Sequence, residues 1–307
     1  MLKGLALTPP VIGRISIGRV VEKNGKRLPE KDDEFSITSQ VQSKDGWVNH
    51  PVDEQLRKDA NAKLRSIPVR LLFDDPDLNF RASYSLFDRN TGRPMCVGNG
   101  ESCKRATASG MQVAECPSPD FCELAIGGNC KPYGRLNVRI GDDDELGSFV
   151  FRTTGFNSIR TLSARLRYFQ AVSGGLLATL PLELRLRGKS TTLSRRAPIY
   201  YVDLTVQSGM TLTEAIASAK CLHEERKTAG FDQDALDRAA REGLATGAFD
   251  ESEEDGAAVA KEFYPDQTET DAKAGTAEHR FQRGLSQKLQ EKAGRIGKPL
   301  TGEHNSN

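Results

Sequence analysis

Cysteine is the residue type whose number and spacing point most clearly to chemistry in this chain. Five of the six cysteines fall between residues 96 and 130, namely Cys96, Cys103, Cys116, Cys122 and Cys130. Thiolates are soft ligands, and four of them can surround a zinc ion tetrahedrally. Gly, Pro, Ser and Asn fill the intervals, so the backbone can bend and bring distant sulfurs together. The spacing predicts a zinc-binding loop with Cys103, Cys116, Cys122 and Cys130 as ligands and Cys96 as the alternative to Cys103.

The same cysteines admit other interpretations. The intervals lack the C-x-x-C pair of zinc fingers and ribbons. An iron–sulfur cluster is the alternative cofactor, and disulfides or buried free thiols are the alternatives to a metal. The N-terminal residues lack the apolar segment and cleavage site of a secretory leader, and no apolar run is long enough to span a membrane. We therefore expect a cytoplasmic protein with no membrane partner, in which disulfides are rare. Cys221 lies on a predicted helix and is expected to be a packing residue.

The charge of the chain is unevenly distributed. The formal net charge is only +1, but residues 146–200 carry nine basic side chains against Glu183, a net +8. Residues 250–271 carry a net −8. A basic surface can meet phosphates or an acidic protein, and an acidic tail can mask that surface or mimic nucleic acid. Solvated strand edges would also explain the arginines. The candidate contacts are Arg160, Arg165, Arg167, Arg185, Arg187, Lys189, Arg195 and Arg196.

The elements that must position these side chains are mostly strands. Alternation of apolar and polar residues predicts strands near 13–18, 34–39, 67–73, 80–86, 136–140, 148–153, 182–186 and 198–206. A stripe of Ile159, Leu162, Leu166 and Phe169 predicts a central helix over 157–171 with Asn157 as its N-cap. The pattern Thr211-x-x-Glu214 predicts a capping box, and a last helix follows from Asp232. The order predicts an α+β fold with mainly antiparallel strands, a Cys-rich loop and C-terminal helices.

The last quarter of the chain has a different composition from the rest. Residues 250–271 are acidic, and residues 265–307 are rich in Gly, Lys, Gln, Thr and Glu. Such segments bury too little apolar surface to offset the loss of chain entropy on folding. We therefore predict a folded domain at 10–245 and a disordered tail at 246–307, acidic at first and then of mixed charge.

The signals for an enzyme are weak. The chain has four histidines and lacks the H-E-x-x-H, G-x-S-x-G and P-loop motifs. Asp74, Asp75 and Asp77 could hold Mg²⁺ for hydrolysis, but turn chemistry explains them better. Tyr168 and Phe169 beside arginines could stack on single-stranded bases, although Phe169 also belongs to the apolar stripe. The residues thus favour a binding protein over a metal-dependent hydrolase, and no small-molecule substrate is expected.

Four segments resemble the recombination directionality factor-like family, known from phages and integrative elements. Gly13–Gly18 and Phe35–Ser39 are similar to the opening pair of strands of the family. Cys130-Lys-Pro-Tyr-Gly-Arg-Leu136 looks like its central signature, and Leu146–Ser158 looks like the segment that follows. The resemblance covers about residues 10–206. Proteobacterial relatives carry the label of hydrolase or metal-binding protein.

The resemblance implies a binding role in DNA recombination. Such factors act as partners of a site-specific integrase, chiefly by contacting the integrase on DNA, and thereby allow it to excise. A bound metal would then be a structural clip. The basic residues would lie near DNA, contacted directly or through the integrase. Work as a single-strand-binding accessory protein in replication or repair is the alternative, and a metal-dependent hydrolase is a further one.

Overall fold

The structure is a computed structural model. It describes residues 10–246, except 24–25, 44–45, 58, 60–61, 142–146 and 191–197, together with 259–260 and 263–264. The predicted boundary between a domain at 10–245 and a tail at 246–307 stays a prediction, since most of that tail lies outside the described residues.

Strands dominate the described part of the chain, as the alternating patterns predict. They are β1 (Val11–Lys23), β2 (Lys26–Ser43), β3 (Gly46–Asn49), β4 (Ser66–Arg70), β5 (Phe80–Phe87), β6 (Pro94–Gly98), β7 (Ser102–Thr107), β8 (Gly110–Glu115), β9 (Cys130–Ile140), β10 (Ser148–Thr153), β11 (Leu182–Lys189) and β12 (Ile199–Val206). The helices are α1 (Pro51–Leu56), α2 (Pro76–Asn79), α3 (Phe156–Val172), α4 (Leu212–Thr228) and α5 (Gln233–Thr246), and a 3-10 helix spans Glu123–Gly128.

The strands form one branched, mixed sheet. Its long path runs β3-β2-β1-β10-β9-β5-β6-β7-β8, and β4 leaves this path by pairing with β9 and leads on to β11 and β12. The pairs are antiparallel except β1 with β10, which is parallel. The architecture is therefore α+β with mostly antiparallel pairing and C-terminal helices, as predicted.

The main core lies on one face of this sheet. Ile15, Phe151 and Leu136 are register partners or near neighbours on adjacent strands, and all point to this face. The predicted stripe of α3 packs there, and all four of its apolar residues are buried. Burial of these side chains is the main term that orders the sheet and helix together.

The helices confirm most of the sequence signals. Thr211 and Glu214 form the predicted capping box at the start of α4. The N-cap of α3 is Gly155, with no side-chain cap, so the expectation of Asn157 is wrong by two residues. No helix in the described ranges is long and apolar enough to cross a membrane.

The Cys-rich segment differs from the loop that the sequence predicts. Residues 94–115 form a three-strand meander, β6 to β8, that extends the sheet beyond β5. The short strands escape the pattern analysis because the turns between them are rich in Gly, Asn and Ser. Cys96 and Cys103 therefore lie within strands, Cys130 begins β9, and only Cys116 and Cys122 lie in a connection.

Candidate metal centre and basic surfaces

Strand register brings three of the candidate ligands to the same sheet face. Leu86 of β5 pairs with Cys96 on one side and with Cys130 on the other. Register partners in neighbouring strands point to the same face, so the two thiols flank Leu86. Cys103 pairs with Gly98, two residues from Cys96, and thus shares that face. The face is the one that carries the main core further along β9.

The connection after β8 carries the other two cysteines back toward these strands. Cys116 N–H donates to the carbonyl of Glu101 (2.9 Å), which ties the end of β8 to the turn before β7. Ser118, between two prolines, has a left-handed backbone (φ 67°), so the chain reverses there. Cys122 follows and precedes the 3-10 helix that leads into Cys130. Pro117, Ser118 and Pro119 therefore form a turn between Cys116 and Cys122.

The absence of a side chain at Gly98 allows Cys103 and Cys116 to approach each other. A Cβ at this position would lie 2.7 Å from Cys116 Sγ, 2.8 Å from Cys103 Cβ and 3.0 Å from the Ser102 carbonyl oxygen. These separations are about 1 Å inside an ordinary contact. Any larger residue would force Cys116 or Cys103 away.

The thiols lie in a partly dry environment. Cys96, Cys103 and Cys116 are buried with Tyr84, Leu86 and Ala114 around them, while Cys122 and Cys130 are half-buried. Burial, together with the smaller effect of the other four clustered cysteines, raises the pKa of Cys130 to about 12. Burial also raises the pKa of Cys96, against a hydrogen bond from Arg105 that lowers it. A bound cation would reverse this penalty on the thiolates.

The donor chemistry fits a metal, but the side chains are not arranged as a ligand set. All six cysteines are free thiols. No group of three or more His, Cys, Asp or Glu side chains within the described residues is positioned to hold a metal ion. A metal-binding loop is therefore not established. The assignment of Cys103, Cys116, Cys122 and Cys130, with Cys96 as the alternative, stays a prediction, and so do zinc and the iron–sulfur cluster.

Cys221 lies apart from this cluster on α4, on the helix that the sequence predicts. It is exposed, and its thiol donates to Glu225 Oε1 (3.3 Å). The expectation of a packing residue is therefore wrong. The apolar stripe of α4 turns Ala215 and Ala219 inward instead.

The predicted basic contacts fall into two groups. Arg165 and Arg187 both bind the buried Asp203, at 3.1 and 3.3 Å, and Arg185 binds Glu183 and Ser208. These three arginines thus have structural partners. Arg160, Arg167 and Lys189 are exposed, and Arg167 lies 3.6 Å from the exposed Asp77. Arg195 and Arg196 lie outside the described residues. The role of all eight as contacts stays a prediction.

A second group of arginines, buried or half-buried, lies on the sheet face opposite the thiols and the main core. Arg81, Arg135 and Arg152 are aligned across β5, β9 and β10. Arg139 lies further along β9, and Arg14 lies on β1, with Val150 and Thr38 as register partners. We call these five residues the arginine face. This set is not apparent in the sequence because its members are spread over 139 positions of the chain. The alternation Arg135-Leu-Asn-Val-Arg-Ile140 was the available signal, since Leu136, Val138 and Ile140 face the core.

The remaining candidate residues have structural roles. Asp75 caps α2 by accepting from Asp77 N–H (3.0 Å), and Asp74 Oδ1 accepts from Ala178 N–H (2.7 Å). Burial raises the pKa of Asp74, and the nearby Asp237 raises it further. Turn chemistry therefore explains these carboxylates, as the sequence favours. Phe169 is buried in the main core, whereas Tyr168 is half-exposed beside it.

Comparison with known proteins gives one match. The model of the Gp3-like family, described as recombination directionality factor-like, matches residues 12–207. No curated protein and no solved structure matches the chain. The matched range runs from β1 to one residue past β12, so it includes the whole sheet, α3 and all five clustered cysteines.

Proposed function

The chain belongs to the Gp3-like, recombination directionality factor-like family, and from this premise we propose that it is an accessory protein of a phage or related mobile element that binds a site-specific integrase on DNA. Its effect would be to change the direction in which the integrase recombines its attachment sites. The family match, which spans the entire sheet domain, is the observation that carries this proposal.

Such a function needs binding and no chemistry by the accessory protein. An integrase–DNA complex has one arrangement that joins attachment sites and another that excises. A ligand shifts this balance only by the difference between its affinities for the two arrangements. Moving the population from 1:99 to 99:1 takes a difference of roughly 10⁴-fold, or about 5.5 kcal/mol. A broad interface on the sheet domain would supply that difference.

The proposed metal has a structural part in this function. Zinc held by Cys103, Cys116, Cys122 and Cys130, with Cys96 as the alternative to Cys103, would clip the β6–β8 meander and the following connection to β9. Three observations support it: the common face of Cys96, Cys103 and Cys130, the space kept by Gly98, and the burial of three thiols. Binding of a structural metal contributes directly to folding free energy.

The proposed contact with DNA or integrase uses exposed cations. Arg160 and Arg167 on α3 and Lys189 on β11 point to solvent, and they can approach phosphates without breaking a buried ion pair. Arg165, Arg185 and Arg187 already bind Asp203 or Glu183. A contact made by these three arginines would therefore be shared with those carboxylates.

The test is binding to the cognate integrase assembled on attachment-site DNA, measured by gel shift. We expect the purified chain to add to the integrase–DNA complex. The double change Arg160→Glu and Arg167→Glu should weaken that addition at least tenfold, with the same thermal stability. Arg238→Glu, an exposed position on α5, is the matched control. Failure of the unaltered chain to join the complex at micromolar concentration would refute the proposal.

A further inference from the structure

Strand β8 forms one end of the long sheet path, and its outer edge has no neighbouring strand in the part of the chain that the structure describes. Thr107 and Gly110 are register partners across a two-residue turn, so their N–H and C=O groups bond to each other. The direction of these groups alternates along a strand. The N–H and C=O groups of Met111 and Val113 therefore point away from β7, toward the open edge.

The composition of β8 leaves this edge unprotected. The segment from Ala106 to Ala114 contains no charged residue, in a chain of which 28% is charged. Met111 and Val113 are 50% and 75% exposed. Natural edge strands are commonly protected from pairing by lysine, proline or a bulge. β8 has neither lysine nor proline, and it pairs with β7 without a register shift. The edge is thus open to another strand, and it lacks the cations that would attract a nucleic acid.

The fold covers a comparable edge at β12. There the N–H of Val202 donates to Ser158 Oγ of α3 (3.1 Å), and the N–H of Leu204 donates to Asp203 Oδ1 (2.9 Å). Among the described residues, no acceptor is bound to the outward amides of Met111 and Val113. An open edge in a fold that covers its edge elsewhere indicates a strand supplied from outside the chain.

A second copy of β8 matches this edge in both backbone and side chains. An antiparallel pair with Gln112 on a two-fold axis places Met111 of one copy opposite Val113 of the other. Both residues direct their backbone groups outward, so each such pair makes two hydrogen bonds. An axis at Met111 would instead set Val113 opposite Ser109, and an axis at Val113 would set Met111 opposite Glu115. The axis at Gln112 is therefore the register that joins apolar to apolar side chains.

The two faces of this strand pair are also self-complementary. On one face, Met111 and Val113 of both copies form a cluster of four apolar side chains, and such cross-strand pairs stabilise a sheet. On the other face, Gln112 meets Gln112 of the second copy, and a side-chain amide both donates and accepts hydrogen bonds. Gly110 meets Ala114 there, so no bulky side chain separates the strands. No like charges oppose each other between residues 110 and 114.

We propose that the chain forms a two-fold symmetric dimer in which the β8 strands of two copies pair antiparallel about Gln112 and join the two sheets into one. Two-fold dimers with the same patch on both subunits are the commonest assemblies of a single chain. A single strand pair is a small interface, so the dimer is reversible, with a dissociation constant between roughly 1 and 100 µM. The inference does not rest on the proposed function.

The first experiment measures association of the full chain by sedimentation velocity from about 1 to 300 µM. We expect a monomer–dimer equilibrium in this range. Val113→Lys sets a charge into the apolar cluster and is the type of change that protects natural edges, so it should weaken the dimer at least about tenfold. Val41→Lys is the matched control, at a position of β2 that is 66% exposed. Both positions are exposed, so neither change should unfold the domain.

Cysteine substitutions test the register. In a background of Cys221→Ser, Gln112→Cys places a thiol on the axis, where opposite Cα atoms lie about 4.5 Å apart. Disulfides span about 4.4–6.8 Å between Cα atoms, so mild oxidation should join two chains. Val113→Cys is the control, because two such positions would lie roughly 8 Å apart. Mass spectrometry of the joined peptides identifies the bond.

The outcomes separate the possible occupants of the edge. Concentration-dependent dimers that Val113→Lys weakens, together with a bond through Gln112→Cys, support the proposal. A chain that stays monomeric at every concentration overturns it, and the edge then belongs to a strand of a different protein. A dimer that survives Val113→Lys, or a bond that forms through Val113→Cys and not through Gln112→Cys, also overturns it. These readouts involve only this chain, so they succeed or fail apart from any contact with integrase or DNA.

Discussion

Replacing Gly98 with Ala tests whether the thiols form a closed cluster. The added Cβ would meet Cys116 Sγ at 2.7 Å, Cys103 Cβ at 2.8 Å and the Ser102 carbonyl oxygen at 3.0 Å. These neighbours crowd it from both side chain and backbone, so one rotamer change cannot relieve the overlap. Overpacking of this kind costs about 1–3 kcal/mol. We therefore expect Gly98→Ala to lower the free energy of unfolding by about 2 kcal/mol.

The same substitution should release a bound metal. Zinc–sulfur bonds of about 2.3 Å tolerate errors of about 0.2 Å, and the overlap requires a shift several times larger. The control is Gly188→Ala in β11, where the added Cβ would lie 3.5 Å from the ring of Tyr200, an ordinary contact. Unfolding in urea and elemental analysis provide the two readouts. The reasoning fails if Gly98→Ala unfolds at the same urea concentration as Gly188→Ala and keeps the same metal content.

Three further predictions rest on single contacts. If the proposed metal is bound, Cys122→Ser should release it and destabilise the domain by several kcal/mol, whereas Cys221→Ser, at an exposed site, should do neither; metal analysis and unfolding in urea would tell them apart. Arg165→Glu places a like charge beside the buried Asp203 and should cost about 1–2 kcal/mol in thermal unfolding, unlike Arg160→Glu; equal stability of the two would contradict the ion-pair assignment. Asp237→Ala leaves the amides of Asp74 and Asp75 without their acceptor and should lower the free energy of unfolding by about 2 kcal/mol. Chemical denaturation measures this change, and Asp234→Ala, at an exposed position, is the control.

Local patterns in the sequence predicted most of the elements because their causes are local. The stripe from Ile159 to Phe169 is buried on α3, and the capping box at Thr211 is formed. β10 has the predicted bounds of 148–153. The sequence patterns fail to predict strands where short strands alternate with turn residues. The β6–β8 meander reads as a loop because each strand has only five or six residues and depends on its neighbours for pairing.

The sequence shows how charge is distributed along the chain, but it does not show which charged residues become neighbours in the sheet. The run at 146–200 is evident in sequence, yet Arg165, Arg185 and Arg187 hold carboxylates within the fold. The arginine face joins residues from β1, β5, β9 and β10, and β1 and β10 pair in parallel across more than 130 residues. Register over such distances is set by tertiary packing, so no window on the sequence contains it. Phe263 and Tyr264 are missed for a related reason: they pack with Phe87 and Tyr133, far away along the chain, and they stand in an acidic sequence without a periodic pattern.

The direction of recombination, measured with purified components, tests the central claim most directly. The assay incubates the integrase of the same mobile element with a plasmid carrying the two hybrid attachment sites, with and without this chain. We predict that excision occurs only when the chain is present at a stoichiometric ratio to integrase, and that joining of the original sites is then suppressed. Excision at the same rate with and without the chain, from an integrase that joins the original sites normally, would contradict the account.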